Sequence, residues 1–142
     1  MSLKVGLIGC ANTALKNFLP SIQFSDAKLE FIASRSSTKA RDWAEKFQSM
    51  KFGNYDQIIE NDVNMIYMPL PVGIHEEWTI KAANTGKHIL CEKSSTTSFE
   101  SAKNTICFSS FNFSHQSSTS KNAMNSPLLF SIALFLASYK VV

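Results

Sequence analysis

The sequence predicts an α/β fold in which a parallel sheet is doubly wound, with helices on both faces. Strand-like and helix-like segments alternate over roughly the first 100 of the 142 residues, which is typical of βαβ units. Right-handed crossovers between parallel strands place helices on both faces of such a sheet. The first strand-like segment also leads directly into a turn of small residues, 9–14, as expected at the start of a βαβ unit.

The first part of the pattern contains two clear strand–helix units. Residues 3–8 and 29–33 are apolar and rich in strand formers. Apolar residues recur at helical spacing after each of them, and the second helix includes residues 40–47. Pro20 lies inside the first helical pattern, so that helix should kink or end early. Residues 51–52 are at best a short third strand.

The second part of the pattern repeats the alternation with shorter segments. A short helix is predicted over 56–60, a fourth strand over 63–68 and a fifth strand over 88–91. A helix over 75–85 connects the last two strands. It should end just before Gly86, because glycine is favoured immediately past a helix C-terminus.

The composition changes near residue 103, where we place a domain boundary. Residues 1–103 form the α/β domain, and its last helix should begin at Thr97, because a glutamate three residues later completes a capping box. Residues 104–142 contain no glycine and no acidic residue and are predicted to be an irregular, Ser-rich tail. The apolar run at 128–137 is shorter than the roughly 20 residues of a membrane span, so we expect no membrane association.

Charge and cysteine content argue against several classes of protein. The chain has 14 Lys and Arg against 11 Asp and Glu, but through residue 100 the counts are 11 each, so the surplus of +3 lies after residue 100. The domain therefore lacks the basic surplus of nucleic-acid binders, and we expect no nucleic-acid partner. Three widely spaced cysteines argue against a disulfide framework and a metal site. An N-terminus without a signal-peptide pattern predicts a cytoplasmic location.

The turn after the first strand occupies the position of the dinucleotide fingerprint G-x-G-x-x-G/A. Gly9 would allow the tight turn, and Ala14 is an accepted variant at the third position. Ala11 replaces the second glycine and adds a methyl group where the backbone should approach a pyrophosphate. The alternative is an ordinary α/β turn, but the location between a strand and a helix favours a phosphate site.

The end of the second strand bears on the choice of cofactor. An acidic residue there would bind the ribose hydroxyls of NAD, whereas this sequence has Ser34, Arg35 and Ser36. An arginine flanked by hydroxyls can pair with a 2′-phosphate and stack on adenine. These residues favour NADP, with NAD as the alternative. The other interpretation is a solvated turn in which Ser36 or Ser37 caps the next helix.

Polar residues also follow the fourth and fifth strands, where open α/β sheets bind ligands. His75 stands at the next helix start after the fourth strand, and Glu92 and Lys93 end the fifth. A Glu–Lys pair there can hold a nicotinamide ribose and exchange a proton with a substrate hydroxyl. The alternative is a surface ion pair, which contributes little. His75 taken alone is more typical of a hydrogen-bonding residue at a helix start.

Taken together, these segments resemble the N-terminal half of the glucose–fructose oxidoreductase/inositol dehydrogenase (Gfo/Idh/MocA) family. The resemblance spans residues 3–103. Its most specific part is G-K-H-I-L-C-E-K at 86–93, which matches the family signature G-K-H-[VI]-[LF]-x-E-K-P. The other matching segments are 5–11, 33–36, and 67–71 together with His75.

The resemblance implies a Rossmann domain that binds NADP or NAD and belongs to an oxidoreductase acting on a sugar, cyclitol or dihydrodiol hydroxyl. Lys93 would be the catalytic residue, beside the substrate and the nicotinamide, and Glu92 would contact the cofactor. The other cofactor-binding residues that the resemblance implies are Gly9, Ala11 and Asn12 in the glycine turn, Ser34 and Arg35 at the adenosine end, and Pro71 and His75 on the nicotinamide side.

Two departures from the family pattern shape the expected activity. Ser94 replaces the proline that follows the lysine in the family, which leaves the direction of Lys93 less constrained. The family also continues into a second α+β domain that completes the substrate pocket, so the resemblance implies a truncated member that binds a small-molecule substrate only when so completed. We therefore expect the chain alone to be inactive. The alternative is a non-catalytic dinucleotide-binding fragment with a regulatory role or none.

Overall fold

The computed structural model describes residues 2–93 and 97–104. Within these residues five strands form one parallel sheet in the order β3-β2-β1-β4-β5. The strands are β1 (Lys4–Ile8), β2 (Lys28–Ala33), β3 (Lys51–Gly53), β4 (Met65–Met68) and β5 (His88–Cys91). The chain runs outward from β1 in one direction and then in the other, which is the order of the first five strands of a Rossmann fold. The predicted doubly wound α/β fold is confirmed.

Helices connect successive strands and cover both faces of the sheet. They are α1 (Leu19–Ile22), preceded by a π-helical segment (Ala14–Phe18), α2 (Ser37–Phe47), α3 (Tyr55–Glu60), and α4 (His75–Asn84), preceded by a 3-10 turn (Val72–Ile74). A further helical stretch covers 99–104. Every helix in the described part of the chain is too short or too polar to cross a bilayer. Residues 105–142 of the predicted tail lie outside the described residues.

Alternation along the strands divides the core into two layers, one on each face of the sheet. The layer under α1 and α2 contains Leu7, Ile32 and Tyr67, with Phe18 and Trp43 packed against them. The layer under α3 and α4 includes Ile8, Phe31, Ala33, Ile58, Ile66, Met68, Leu70 and Trp78. Because side chains alternate along a strand, neighbouring residues of β1 and β2 fall into different layers.

Pro20 does not end the first helix, which continues to Ile22. In an α-helix the proline ring would clash with the carbonyl of Lys16, four residues earlier. The wider π-helical segment lies immediately before it, and the Leu19 amide bonds the Ala14 carbonyl five residues back. The local widening therefore accommodates the proline without breaking the helix.

Capping residues mark the ends of three other helices. Ser36, one of the two predicted caps of α2, accepts a hydrogen bond from the Lys39 amide. Gly86 has φ +72° just past α4, as predicted for a helix C-terminus. The prediction of Thr97 as the last cap was wrong by one residue. Ser98 is the cap, because its Oγ accepts a hydrogen bond from the amide of Ser101, three residues on, at 3.1 Å.

Candidate functional site

The residues predicted to form the site all follow strands at their carboxyl ends, so the parallel sheet brings them to one edge. The turn after β1 lies at the centre of this edge. On one side is the β2–β3 side, defined by Ser34, Arg35 and Tyr55. On the other is the β4–β5 side, formed by residues 69–75 and 92–93. The strand order reverses direction between β1 and β4, and open α/β sheets bind ligands at such a point.

The turn after β1 requires glycine at its first position. Gly9 has φ +104°, a conformation that side chains rarely adopt. A Cβ at this position would lie 2.7 Å from Cδ2 of Leu70. The Gly9 amide donates a 2.8 Å hydrogen bond to the Ala33 carbonyl, which fixes the turn against the end of β2. Gly9 therefore connects both sides of the edge.

The helix after this turn directs its first amides toward the edge. Helical backbone begins at Asn12, whose side chain is exposed. The Leu15 amide makes the first helical bond, to the Ala11 carbonyl at 3.2 Å. The amides of residues 12–14 precede that bond, so helix geometry leaves them directed out of the helix. This arrangement suits an anion such as a pyrophosphate.

The β2–β3 side is a neutral-to-basic rim. Ser34 is buried, and its amide donates to the Gly53 carbonyl at 3.0 Å. Its hydroxyl accepts a 3.3 Å hydrogen bond from the Ser36 amide. Arg35, between them, is exposed. The backbone is thus held from both neighbouring strands while the guanidinium stays accessible to a ligand.

Tyr55 is a member of this rim that the sequence analysis missed. Its ring packs edge-on against Trp78, with centroids 5.1 Å apart and an interplanar angle of 81°. Burial raises the pKa of the Tyr55 phenol, and the neighbouring Arg35 guanidinium acts in the opposite direction. Tyr55 follows β3 by two residues, so extending the rule about strand ends to the short third strand would have identified it.

Cys10 lies inside the β1 turn, and its buried thiol is not available as a nucleophile. Burial raises the pKa of its thiol, and the Ser34 hydroxyl and the Lys39 ammonium oppose that shift only in part. A buried thiol with a raised pKa is unreactive at neutral pH. Within the described residues, no three His, Cys, Asp or Glu side chains gather closely enough to hold a metal ion.

On the β4–β5 side, His75 acts on the backbone rather than lining the surface. The side chain is buried, with 1% exposed, and Nε2 lies 2.6 Å from the Leu70 carbonyl oxygen. Since a carbonyl only accepts, Nε2 is the donor. Leu70 in turn packs over Gly9, so His75 helps to hold the loop that covers the β1 turn. Pro71, the other residue predicted on this side, is exposed.

Glu92 and Lys93 end β5 but differ in their surroundings. Glu92 is half-buried, and Oε1 accepts a hydrogen bond from the Tyr67 hydroxyl. Its amide donates to the Met68 carbonyl at 3.3 Å, which extends the pairing of β4 with β5. Lys93 is exposed. In the described part of the chain these two residues form no ion pair with each other, so the alternative of a surface pair is not observed.

Tyr67 is the second site residue that the sequence analysis did not single out for its side chain. It belongs to β4 and is buried among the residues under α1. Phe18 stacks on it with centroids 4.0 Å apart and an interplanar angle of 21°. Its hydroxyl reaches Glu92 across 25 residues of sequence, and no local pattern reveals that link.

Comparison with known families matches residues 3–108 to the Gfo/Idh/MocA model, described as an oxidoreductase family with an NAD-binding Rossmann fold. Among characterised proteins, the chain is 44% identical over 94 residues to dTDP-3,4-didehydro-2,6-dideoxy-alpha-D-glucose 3-reductase of Streptomyces violaceoruber, covering 65% of this chain and 28% of that protein. It is 35% identical over 95 residues to D-xylose 1-dehydrogenase (NADP(+)) 2 of Haloferax volcanii, covering 66% and 29%.

Solved structures give the same result for the fold. KijD10, a 3-ketoreductase from Actinomadura kijaniata crystallised with TDP-benzene and NADP, superposes with a TM-score of 0.75 and 32% identity, covering 79% of this chain and 35% of KijD10. The chain therefore spans about a third or less of the length of these relatives.

Proposed function

The chain belongs to the Gfo/Idh/MocA oxidoreductase family, and on that premise we propose that it binds NADP, with NAD as the weaker alternative, across the carboxyl edge of its sheet. The β1 turn takes the pyrophosphate. The β2–β3 side takes the adenosine end, and the β4–β5 side takes the nicotinamide end. The observation that carries the proposal is the pairing of the Gly9 turn with an accessible Arg35 at the end of β2.

The donor groups at this edge fit a dinucleotide phosphate. Gly9 lacks the Cβ that would collide with Leu70, so the turn stays tight below the amides of residues 12–14. Ser34 and Arg35 stand where a carboxylate would repel a 2′-phosphate. A guanidinium with neighbouring hydroxyls supplies charge-assisted hydrogen bonds to such a phosphate. KijD10 was crystallised with NADP, which supports the same preference.

The β4–β5 side supplies the groups for proton transfer. Bound NADP would provide the hydride chemistry of the reaction. Glu92 would accept a hydrogen bond from the nicotinamide ribose. Lys93 would exchange a proton with the substrate oxygen, a role that contributes about 10²–10⁴-fold to a rate. The exposed position of Lys93 leaves its ammonium free to approach a substrate at this edge.

The substrate class that the relatives support is a sugar hydroxyl or the corresponding ketone. The Streptomyces violaceoruber relative is a reductase of a dTDP-linked sugar, and the Haloferax volcanii relative is a dehydrogenase of D-xylose. Cyclitols and dihydrodiols also carry hydroxyl groups on ring carbons and belong to the same proposal. The described residues contribute cofactor contacts and Lys93, so the choice among these substrates lies with groups outside them.

A fluorescence titration of the 142-residue chain with NADPH and NADH tests the proposal. We expect saturable binding of NADPH in the micromolar range or weaker, and weaker binding of NADH. If the folded chain binds neither nucleotide, the proposal is overturned.

A non-catalytic dinucleotide-binding role is the second candidate. It is supported by the lack of an ion pair that would orient the Lys93 ammonium within the described residues. The two candidates share cofactor binding and differ in turnover. A coupled assay with NADP and a panel of sugars and polyols is run in parallel on Lys93→Ala. Turnover that depends on Lys93 supports the first candidate and contradicts the second. Binding without turnover fits both, because the chain alone is expected to be inactive under either.

A further inference from the structure

We infer that Tyr67 is a positioning residue of this site, and that it acts by holding the Glu92 carboxylate in the orientation that meets the nicotinamide half of the cofactor. The inference rests on the proposed function and adds to it a buried side chain that does not itself reach the ligand. Phe18, on the π-helical segment, completes the arrangement by fixing the Tyr67 ring.

The hydrogen bond between Tyr67 and Glu92 joins a buried group to an accessible one. Tyr67 is 4% exposed and lies on β4 between β1 and β5, in register with Leu7 and Leu90. A buried phenol needs a partner for its hydroxyl, and here that partner is Oε1 of Glu92. Glu92 lies past the end of β5 and is only half-buried. Its carboxylate would otherwise rotate freely toward water.

Phe18 restricts the remaining freedom of the Tyr67 ring. The two rings stack nearly in parallel with centroids 4.0 Å apart. Phe18 is the last residue of the π-helical segment that accommodates Pro20. Single π-helical turns inside helices occur frequently at functional sites. The widened turn therefore coincides with the contact that supports Tyr67, which in turn holds Glu92.

This arrangement predicts an effect confined to one half of the cofactor. With one Glu92 oxygen committed to Tyr67, the other stays available for a ribose hydroxyl. Removal of the Tyr67 hydroxyl releases the carboxylate but leaves the Gly9 turn and Arg35 unchanged. A ligand that reaches only the β2–β3 side and the turn should not respond.

The test compares the chain with Tyr67→Phe, which keeps the stacked ring and removes only the hydroxyl. Two ligands are titrated: NADPH, followed by nicotinamide fluorescence, and 2′,5′-ADP, which lacks the nicotinamide half. We expect Tyr67→Phe to weaken NADPH by about three- to tenfold, as for loss of one hydrogen bond, and to leave 2′,5′-ADP unchanged. The matched control, Tyr55→Phe, removes a phenol hydroxyl from the β2–β3 side and should change both affinities by the same factor.

A second pair of variants shows whether Tyr67 acts through Glu92. In a Glu92→Ala background, Tyr67→Phe should cause no further loss of NADPH affinity, because coupled residues are not additive. Three outcomes would overturn the inference. Tyr67→Phe could weaken NADPH and 2′,5′-ADP equally, or it could leave NADPH affinity unchanged. It could also cause its full loss of NADPH affinity in the Glu92→Ala background. If the unaltered chain binds neither NADPH nor 2′,5′-ADP, the proposed function on which the inference rests is overturned instead.

Discussion

The two sides of the carboxyl edge are built differently. On the β2–β3 side the backbone is held by hydrogen bonds to neighbouring strands, and the charged group, Arg35, is exposed. On the β4–β5 side Lys93 is also exposed, but Glu92 is half-buried and His75 is buried, and each is held by a hydrogen bond, Glu92 to the Tyr67 hydroxyl and His75 to the Leu70 carbonyl. Both sides thus offer a charged group to a ligand, and the β4–β5 side adds polar side chains of fixed orientation.

In the proposed binding mode, the two sides have different roles along the cofactor. An exposed guanidinium contributes affinity for an anion and selects between NADP and NAD. Buried hydrogen bonds contribute little net binding energy but hold groups in one geometry, which is what positioning for a reaction requires. The Gly9 turn joins the two sides, since it bonds Ala33 of β2 and contacts Leu70 beyond β4. Changes at Gly9 should therefore affect both sides at once.

The largest expected effect comes from Gly9→Val. The substitution forces a branched side chain into φ +104° and places its Cβ 2.7 Å from Leu70. The backbone strain alone amounts to about 1–3 kcal/mol. We expect loss of NADP binding and a lower thermal unfolding midpoint. Gly73→Ala is the matched control, because a Cβ there meets nothing within 4 Å. Retention of NADP affinity by a folded Gly9→Val chain would place the pyrophosphate elsewhere.

Arg35→Ala should cause the second-largest loss of cofactor affinity, and its effect should be confined to the β2–β3 side. Loss of a charge-assisted bond to the 2′-phosphate amounts to about 1.5–3 kcal/mol. NADP affinity should therefore fall tenfold or more, while NAD affinity stays nearly unchanged. Arg41→Ala removes an exposed arginine that pairs with Asp42 and Glu45 on α2, and it serves as the control in the same titrations. Preference of the unaltered chain for NAD would contradict this assignment.

His75→Ala should affect the β4–β5 side mainly by lowering the free energy of unfolding. The change leaves the Leu70 carbonyl without its buried donor, which destabilises a protein by about 1–3 kcal/mol. Urea denaturation measures the difference in free energy of unfolding. His88→Ala provides a comparison, because His88 is exposed at the start of β5. If the two histidine variants are equally stable, the contact with Leu70 does not hold the loop.

Ala11→Gly should have the smallest effect on NADP affinity, and it tests whether Ala11 faces the pyrophosphate. Ala11 stands where the dinucleotide fingerprint has its second glycine. Removing its methyl group allows closer approach of a pyrophosphate, so NADP affinity should stay the same or rise modestly. Calorimetric titration of the folded variant is sufficient to measure this. A clear loss of affinity would mean that Ala11 does not face the phosphates.

Position next to a strand end was enough to predict which residues lie at this edge, whereas side-chain contacts between strands were not predictable. Gly9 and Arg35 lie next to strand ends, so local pattern and parallel topology were enough to bring them to one edge. The bond between Tyr67 and Glu92 depends on the register of β4 with β5, which periodicity does not fix. Pro20 predicted a kink or an early end, and the structure shows the helix continuing to Ile22 after a π-helical segment, a local widening that the sequence pattern does not reveal.

Hydrogen–deuterium exchange with two ligands tests the division of the edge most directly. Saturating 2′,5′-ADP should slow exchange in residues 10–14 and 35–39 only. Saturating NADP should slow exchange there and also in residues 69–75 and 92–93, which form the β4–β5 side. Equal protection patterns for the two ligands, or protection at the opposite edge of the sheet, would contradict the proposal that the cofactor spans both sides.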